Sequence, residues 1–232
     1  MPDHKHIYSH DAEQYELLIS REDYQDNIKK VILSIVPKLE DIDVLDMGAG
    51  TGRLSCILAP LVQSIIATDV SVAMLNRASE NLSGSRMTNW KTCVADHKSI
   101  PIACQSVDLV TAGWTICYST NTLVEQWHEN LELIMQEIQR VVRPLGTVVI
   151  FENYGTGGEQ PNPPDYLLSY YDALVNEYGF THDYIRTDSQ FKSVDEAENL
   201  FRFFFGDEFA DRVKSAQQTI VPACTGVWWR TY

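Results

Sequence analysis

Three glycines at alternating positions, Gly48, Gly50 and Gly52, stand between an apolar run and a helical pattern. That junction constrains the fold more than any other stretch. Ahead of it, residues 43–46 read as a short buried strand that ends in Asp46. Behind it, Leu54, Ile57, Leu58 and Leu61 recur at the spacing of one helix face. Strand, glycine turn and helix in succession belong to α/β architectures, where the turn carries the chain from a sheet onto a covering helix. Glycine lets the backbone approach a ligand closely, because it lacks a Cβ and accepts positive φ. The helix that follows aims its unpaired N–H groups at whatever occupies the crevice.

The residues around the glycines select the ligand class. A dinucleotide fingerprint runs G-x-G-x-x-G, and here Arg53 stands where its third glycine belongs. Asp46, two residues ahead of the first glycine, would repel a pyrophosphate. It suits a ligand with a cationic amino group and a neutral ribose. The run Leu45-Asp46-Met47-Gly48-Ala49-Gly50-Thr51-Gly52 resembles the first motif of the class I methyltransferases. That resemblance implies S-adenosylmethionine as cofactor and S-adenosylhomocysteine as product, with Asp46, Gly48, Ala49 and Gly50 against the donor.

Two further strands end in the same residue type. Residues 64–69 end in Asp69, 23 positions after Asp46, near the separation of an acid that accepts hydrogen bonds from ribose hydroxyls. A carboxylate takes two such bonds and disfavours a 2′-phosphate. Asp69 would otherwise cap the next helix, for which Ser71 is better placed. Residues 90–96 form a third strand ending in Asp96. Open α/β sheets bind ligands at the carboxyl ends of their strands, so the three acids gain weight together. By resemblance, Val70 and Met74 sandwich an adenine, Asp96 receives its amino group, and Ala95 or His97 supplies a backbone N–H.

Residues 107–113 make a fourth strand, and Ser106-Val107-Asp108-Leu109-Val110 resembles the family's signature there. The resemblance puts Ala112, Gly113 and Trp114 beside the donor, and residues 114–118 where donor and acceptor meet. Amino-group methyltransferases of nucleic acids and protein glutamine carry an N/D-P-P-Y/F/W motif at this point, which this chain lacks. Asn162-Pro163-Pro164-Asp165 lies after the fifth strand and reads as a loop opening a helix. A helix over 123–142 stops at Arg143-Pro144-Leu145-Gly146 and feeds strand 147–152, again resembling the family. The loop 154–164 is expected to border the acceptor. Beyond it the pattern predicts a helix over 166–178, a strand near 184–187, a helix opened by Ser193 and Glu196 at capping-box spacing, and a strand over 226–231.

Taken in order, strands and helices alternate, and right-handed crossovers give a doubly wound, mostly parallel, seven-stranded α/β sheet. The resemblance supplies the strand order 3-2-1-4-5-7-6, with the last strand antiparallel. One domain spans 1–232: a mobile arm or lid over 1–25, a cofactor-binding core over 26–152 whose first helix covers 26–39, and an acceptor-side part over 153–232. By resemblance, Tyr15, Arg21 and Tyr24 of the arm contact the ligand.

The formal charge is −14, from 18 Lys and Arg against 32 Asp and Glu, with the cations scattered singly. A nucleic-acid partner or an anionic membrane surface wants a basic stripe, so neither is expected. No apolar run is long enough to span a bilayer, and the first residues lack a secretory h-region, so a cytoplasmic location is expected. Five cysteines without a C-x-x-C pair suggest neither a disulfide framework nor a zinc site, and no metal is expected.

A sulfonium methyl is already activated, so holding a nucleophile in line contributes about 7–11 kcal/mol without any catalytic side chain. A hydroxyl acceptor would also need a base. His97 and Tyr118 are the candidates, with Glu152 after them; His97 reads equally as an adenine-side backbone contact. The expected function is methyl transfer to a small-molecule acceptor, with O, N and C nucleophiles all open. Two alternatives stand beside it: a non-catalytic subunit that binds the same donor, and an NAD-dependent oxidoreductase, against which the missing third glycine and Asp46 argue.

Overall fold

The computed structural model describes residues 4–84 and 87–232, apart from the side chains of residues 4, 5 and 9. The first three residues of the expected arm lie outside the described residues.

Seven strands form one sheet: β1 (Asp43–Met47), β2 (Ser64–Asp69), β3 (Trp90–Val94), β4 (Val107–Gly113), β5 (Val142–Thr156), β6 (Thr181–Arg186) and β9 (Ala223–Thr231). The order is β3-β2-β1-β4-β5-β9-β6, so β9 fills the place expected of a seventh strand. β1 to β5 pair in parallel, and β9 runs antiparallel between β5 and β6. Register brings the carboxyl ends together: Met47 stands opposite Thr68 and Ala112, and Asp69 opposite Val94. β7 (Ser189–Gln190) and β8 (Ile220–Val221) form a separate two-stranded ribbon that the sequence pattern does not announce.

Helices cover both faces. α3 (Asn27–Ile35) and α4 (Arg53–Leu58) pack with Val44, Leu109, Val149 and Phe151 on one. On the other, α6 (Cys117–Thr120), α7 (Trp127–Val141) and α8 (Leu168–Asn176) pack with Leu45, Val110, Ile150 and Trp228. α7 buries Leu131, Ile134, Met135, Ile138 and Val141 along one stripe, each contributing roughly 1.5–3 kcal/mol of burial energy. A third cluster joins Leu18 of α2 (Ala12–Ile19) to Phe191, to Leu200 and Phe201 of α9 (Val194–Phe205), and to Val213 of α10 (Asp207–Ser215).

Several expected elements differ. Residues 4–19 are helical, as α1 (His4–His10) and α2, where an arm was expected. The strict alternation fails between β3 and β4, where no helix forms among the described residues. α7 holds this link instead: Glu137 accepts the Ile100 N–H, and Arg140 donates to the carbonyls of Ile100 and Ile102. α7 begins at Trp127 rather than near 123, because the Asn121 side chain and carbonyl turn the chain at Leu123 and Val124. β5 starts at Val142, and Arg143 bridges Asp43 and Asp108 at the amino ends of β1 and β4.

Candidate functional site

β1 ends in two buried residues, Asp46 and Met47, and the chain then turns into α4. Asp46 is engaged inside the protein: Oδ2 accepts the Ser55 N–H at 3.0 Å and the Ser55 hydroxyl at 2.6 Å, and Oδ1 accepts the Thr111 hydroxyl at 3.1 Å. It ties the first turn of α4 to β1 and β4, supporting the glycine turn from within. Burial pushes its carboxyl up to about 6, against the pull of those donors.

Gly48 and Gly50 do different work in the turn. At Gly48, with φ +63°, an added Cβ would lie 1.9 Å from the Thr115 hydroxyl, so turn and post-β4 segment pack with no room for a side chain. At Gly50 an added Cβ would meet nothing within 4 Å, so the space beside this peptide is open. Its N–H donates to Asp69 Oδ2 at 3.0 Å, and Asp69 Oδ1 accepts the Ser71 N–H at 2.8 Å. A carboxylate offers about four lone-pair positions, so roughly two remain for a ligand's hydroxyls. Ala49 donates its N–H to the Thr68 carbonyl at 2.8 Å.

Ser71 caps α5 (Val72–Gly84): its hydroxyl accepts the Met74 N–H at 3.3 Å and donates to the Tyr8 carbonyl at 3.1 Å. The Tyr8 phenol in turn hydrogen-bonds the Tyr118 phenol. α1 therefore bridges the ends of β2 and β4 over the end of β1. Tyr15 meets Tyr8 edge-on at 5.3 Å and tilts against Phe204 at 5.5 Å. Arg21 is held elsewhere, by Glu196 of α9 at 2.8 Å. The arginine at the turn is Arg53, which pairs with Glu22 at 2.5 Å and lies 4.6 Å from the Trp114 ring. That ring also stacks with Phe151, within the layer under α3 and α4.

Of the three acids expected to close strands, only Asp69 does. β1 runs one residue past Asp46 to Met47, and β3 stops at Val94, two residues before Asp96, which bridges Ser99 instead. Asp46 is buried, Asp69 half-buried and Asp96 exposed. Asp96 accepts the Lys98 N–H at 2.8 Å, and the Ala95 N–H goes to the Asp69 carbonyl. Val70 is exposed and Met74 buried; Ala112 is buried, and Gly113 packs on Leu54 of α4. His97 Nε2 shares a hydrogen bond with the Thr115 hydroxyl at 2.9 Å. Burial lowers the pKa of the imidazole, which favours its neutral form. Thr115, Arg53 and the Ser71–Tyr8 contact carry no local sequence signal, since each acquires its role from a residue far along the chain. No group of three or more His, Cys, Asp or Glu among the described residues could hold a metal ion.

Residues 45–150, from the core of β1 to the core of β5, match the methyltransferase domain family. Over that segment the chain is similar to methyltransferase domains. It is 25% identical over 184 residues to phosphoethanolamine N-methyltransferase 1 of Caenorhabditis elegans, covering 79% of this chain and 37% of that protein. It is 31% identical over 126 residues to the malonyl-[acyl-carrier protein] O-methyltransferase of Pectobacterium atrosepticum, covering 54% of this chain and 44% of the relative. The chain thus spans less than half the length of either. Among solved structures, the YcgJ protein of Bacillus subtilis superimposes with a TM-score of 0.60 at 14% identity, over 88% of this chain and 96% of that one. A SAM-dependent methyltransferase from Aquifex aeolicus gives 0.59 at 17% identity, over 94% and 96%. The shared fold therefore extends well past residues 45–150.

Proposed function

We propose that this chain transfers a methyl group from S-adenosylmethionine to a small-molecule acceptor. The observation that carries the reading is the pairing of the open space beside Gly50 with the Asp69 carboxylate that accepts its N–H. The fit to a cationic nucleoside is good. Asp69 keeps acceptor capacity for a ribose diol, and Asp96, two residues beyond β3, is exposed for an adenine amino group. When bound, the donor supplies a methyl on a cationic sulfur, whose departure leaves a neutral thioether.

The protein's own share is orientation. Gly48, Ala49 and Gly50 present backbone, Val70 and Met74 flank the base, and Ala112 to Trp114 border the far side. α1 and α2, with Tyr15, cover the crevice and exclude water. In this reading Arg21 fastens that cover to α9, while His97 and Tyr118 position it and the turn: the imidazole holds Thr115 against Gly48, and the Tyr118 phenol anchors Tyr8. Relatives named for N- and for O-methylation both match, so the acceptor has to be read from this chain's own residues.

Titration calorimetry with S-adenosylhomocysteine tests the reading. A micromolar Kd in the wild type, lost in Asp69→Ala, is expected; no heat in the wild type with donor or product overturns it. Transfer of labelled methyl to an acceptor panel then separates an enzyme from a subunit that only binds.

A further inference from the structure

Glu152 is the buried group that the donor site leaves unexplained. It follows Phe151, which pairs with Gly113 at the end of β4, and it is fully buried. Oε1 accepts the Cys117 N–H at 3.0 Å and the Tyr170 hydroxyl at 3.3 Å. The Cys117 thiol and the Ile116 N–H also lie beside the carboxylate, yet Oε2 is buried and no donor reaches it in hydrogen-bond geometry. An unpaired buried carboxylate oxygen is destabilising, and a native structure keeps one only for a reason.

The surroundings specify what would satisfy it. Cys117 and Tyr118 face it from the segment after β4, and Tyr170 and Tyr171 from α8. Burial holds Cys117, Tyr170 and Tyr171 well above their ordinary pKa, and the Tyr118 phenol bonds that of Tyr8, so all four are neutral. Its neighbour on β9 is Gly226, which brings no side chain. No ion pair involving Glu152 occurs among the described residues. A carboxylate among aromatic rings with no countercharge attracts a cation, since ring faces are also negative. The segment 114–120 links the two sites: Thr115 packs on the glycine turn, and two residues on Cys117 bonds Glu152. Tyr118 is 47% exposed, and Tyr166, beside Tyr171 and Cys117, is 41% exposed, giving the cluster a solvent-facing side.

We infer that the methyl acceptor is an amine, that Glu152 Oε2 binds its ammonium nitrogen, and that Glu152 takes the proton this nitrogen loses. The inference rests on the methyltransferase reading and names its acceptor class. The ammonium gives one proton to Oε2, which leaves a neutral amine and a carboxylic acid. The freed lone pair forms the N–CH₃ bond as the C–S bond of the sulfonium donor breaks, and that bond's electron pair stays on sulfur. Positive charge passes to the methylated nitrogen. Burial pushes the Glu152 carboxyl up to about 7, which suits proton exchange near neutrality.

The test uses full-length protein loaded with S-adenosylhomocysteine. The probes are primary amines (ethanolamine and 2-phenylethylamine) and, as matched alcohols, ethylene glycol and 2-phenylethanol. Calorimetry is expected to show an amine binding at least tenfold more tightly than its alcohol, and Glu152→Gln is expected to abolish that preference while leaving S-adenosylhomocysteine affinity within twofold. Infrared difference spectra of the wild type, which need no variant, should show a buried protonated carboxyl converting to carboxylate when the amine binds at pH 7. Equal binding of amine and alcohol, an unchanged carboxyl band with every amine, or undiminished amine affinity in Glu152→Gln overturns the inference. Loss of S-adenosylhomocysteine binding by the wild type instead brings down the methyltransferase reading beneath it.

Discussion

The Gly50 N–H and the Asp69 carboxylate meet at 3.0 Å, joining the turn after β1 to the end of β2. This bond fixes the glycine turn against the acid that closes β2. Asp69→Asn keeps one oxygen for the Gly50 amide but halves the acceptor capacity toward a diol. We expect at least a tenfold loss of S-adenosylhomocysteine affinity, about 1.4 kcal/mol, in calorimetry. Asp69→Ala should bind below detection. Wild-type affinity in either variant would remove Asp69 from the site.

Gly48 and Gly50 both have positive φ, at +63° and +55°, yet their replacement should fail differently. Gly48→Ala drives a methyl into Thr115 and should lower stability by about 1–3 kcal/mol or more, visible as a fall in Tm without ligand. Gly50→Ala meets open space, so only backbone strain of about 1 kcal/mol is expected. Its methyl occupies ligand space, however, and S-adenosylhomocysteine affinity should drop at least tenfold. Equal stability losses with intact binding would contradict this division.

Glu152 should mark the pH dependence of stability. Its carboxyl is raised to about 7 in the folded protein by burial, and Asp46 to about 6. A raised carboxyl binds more protons folded than unfolded, so its stabilisation is present at low pH and lost as pH rises through the folded value. Burial lowers the pKa of His97 and His182, which gives the opposite slope in the same window. The difference between wild type and Glu152→Gln cancels the histidines. At pH 8 the Gln variant should be more stable by on the order of 2 kcal/mol, and the gap should shrink toward pH 5. Denaturant melts at both pH values measure it; a gap that widens on acidification refutes the assignment.

Arg21 and Glu196 pair at 2.8 Å with both side chains largely shielded, fastening the end of α2 to α9. Arg21→Ala should cost about 1 kcal/mol overall, the upper range for a partly exposed pair. Its local effect should be larger: amide exchange over residues 4–24 should accelerate at least fivefold, and bound S-adenosylhomocysteine should dissociate faster. Unchanged exchange in that segment would mean that α1 and α2 are held by their aromatic contacts alone.

Everything legible in advance was local. The strand, glycine turn and helix that begin at Asp43, the acid closing β2, the α7 stripe and the Ser193 cap all show within a dozen residues, because period and turn chemistry are properties of neighbours. Ser193 does accept the Glu196 N–H, at 3.1 Å. The order β3-β2-β1-β4-β5-β9-β6 was available only by resemblance, although the right-handed crossover rule made it one of few.

Tertiary structure decided the rest. The link from β3 to β4 does without a helix because Arg140 and Glu137, some 40 positions on, take its backbone hydrogen bonds. Asp46 faces Ser55 and Thr111, and Arg21 belongs to Glu196. Glu152 is one acid among many in the chain until β5, α6 and α8 close around it and leave a single oxygen without a donor. Chain composition places such groups in the molecule, but only packing between distant segments removes water from them, and it is the removal of water that makes a carboxylate reactive.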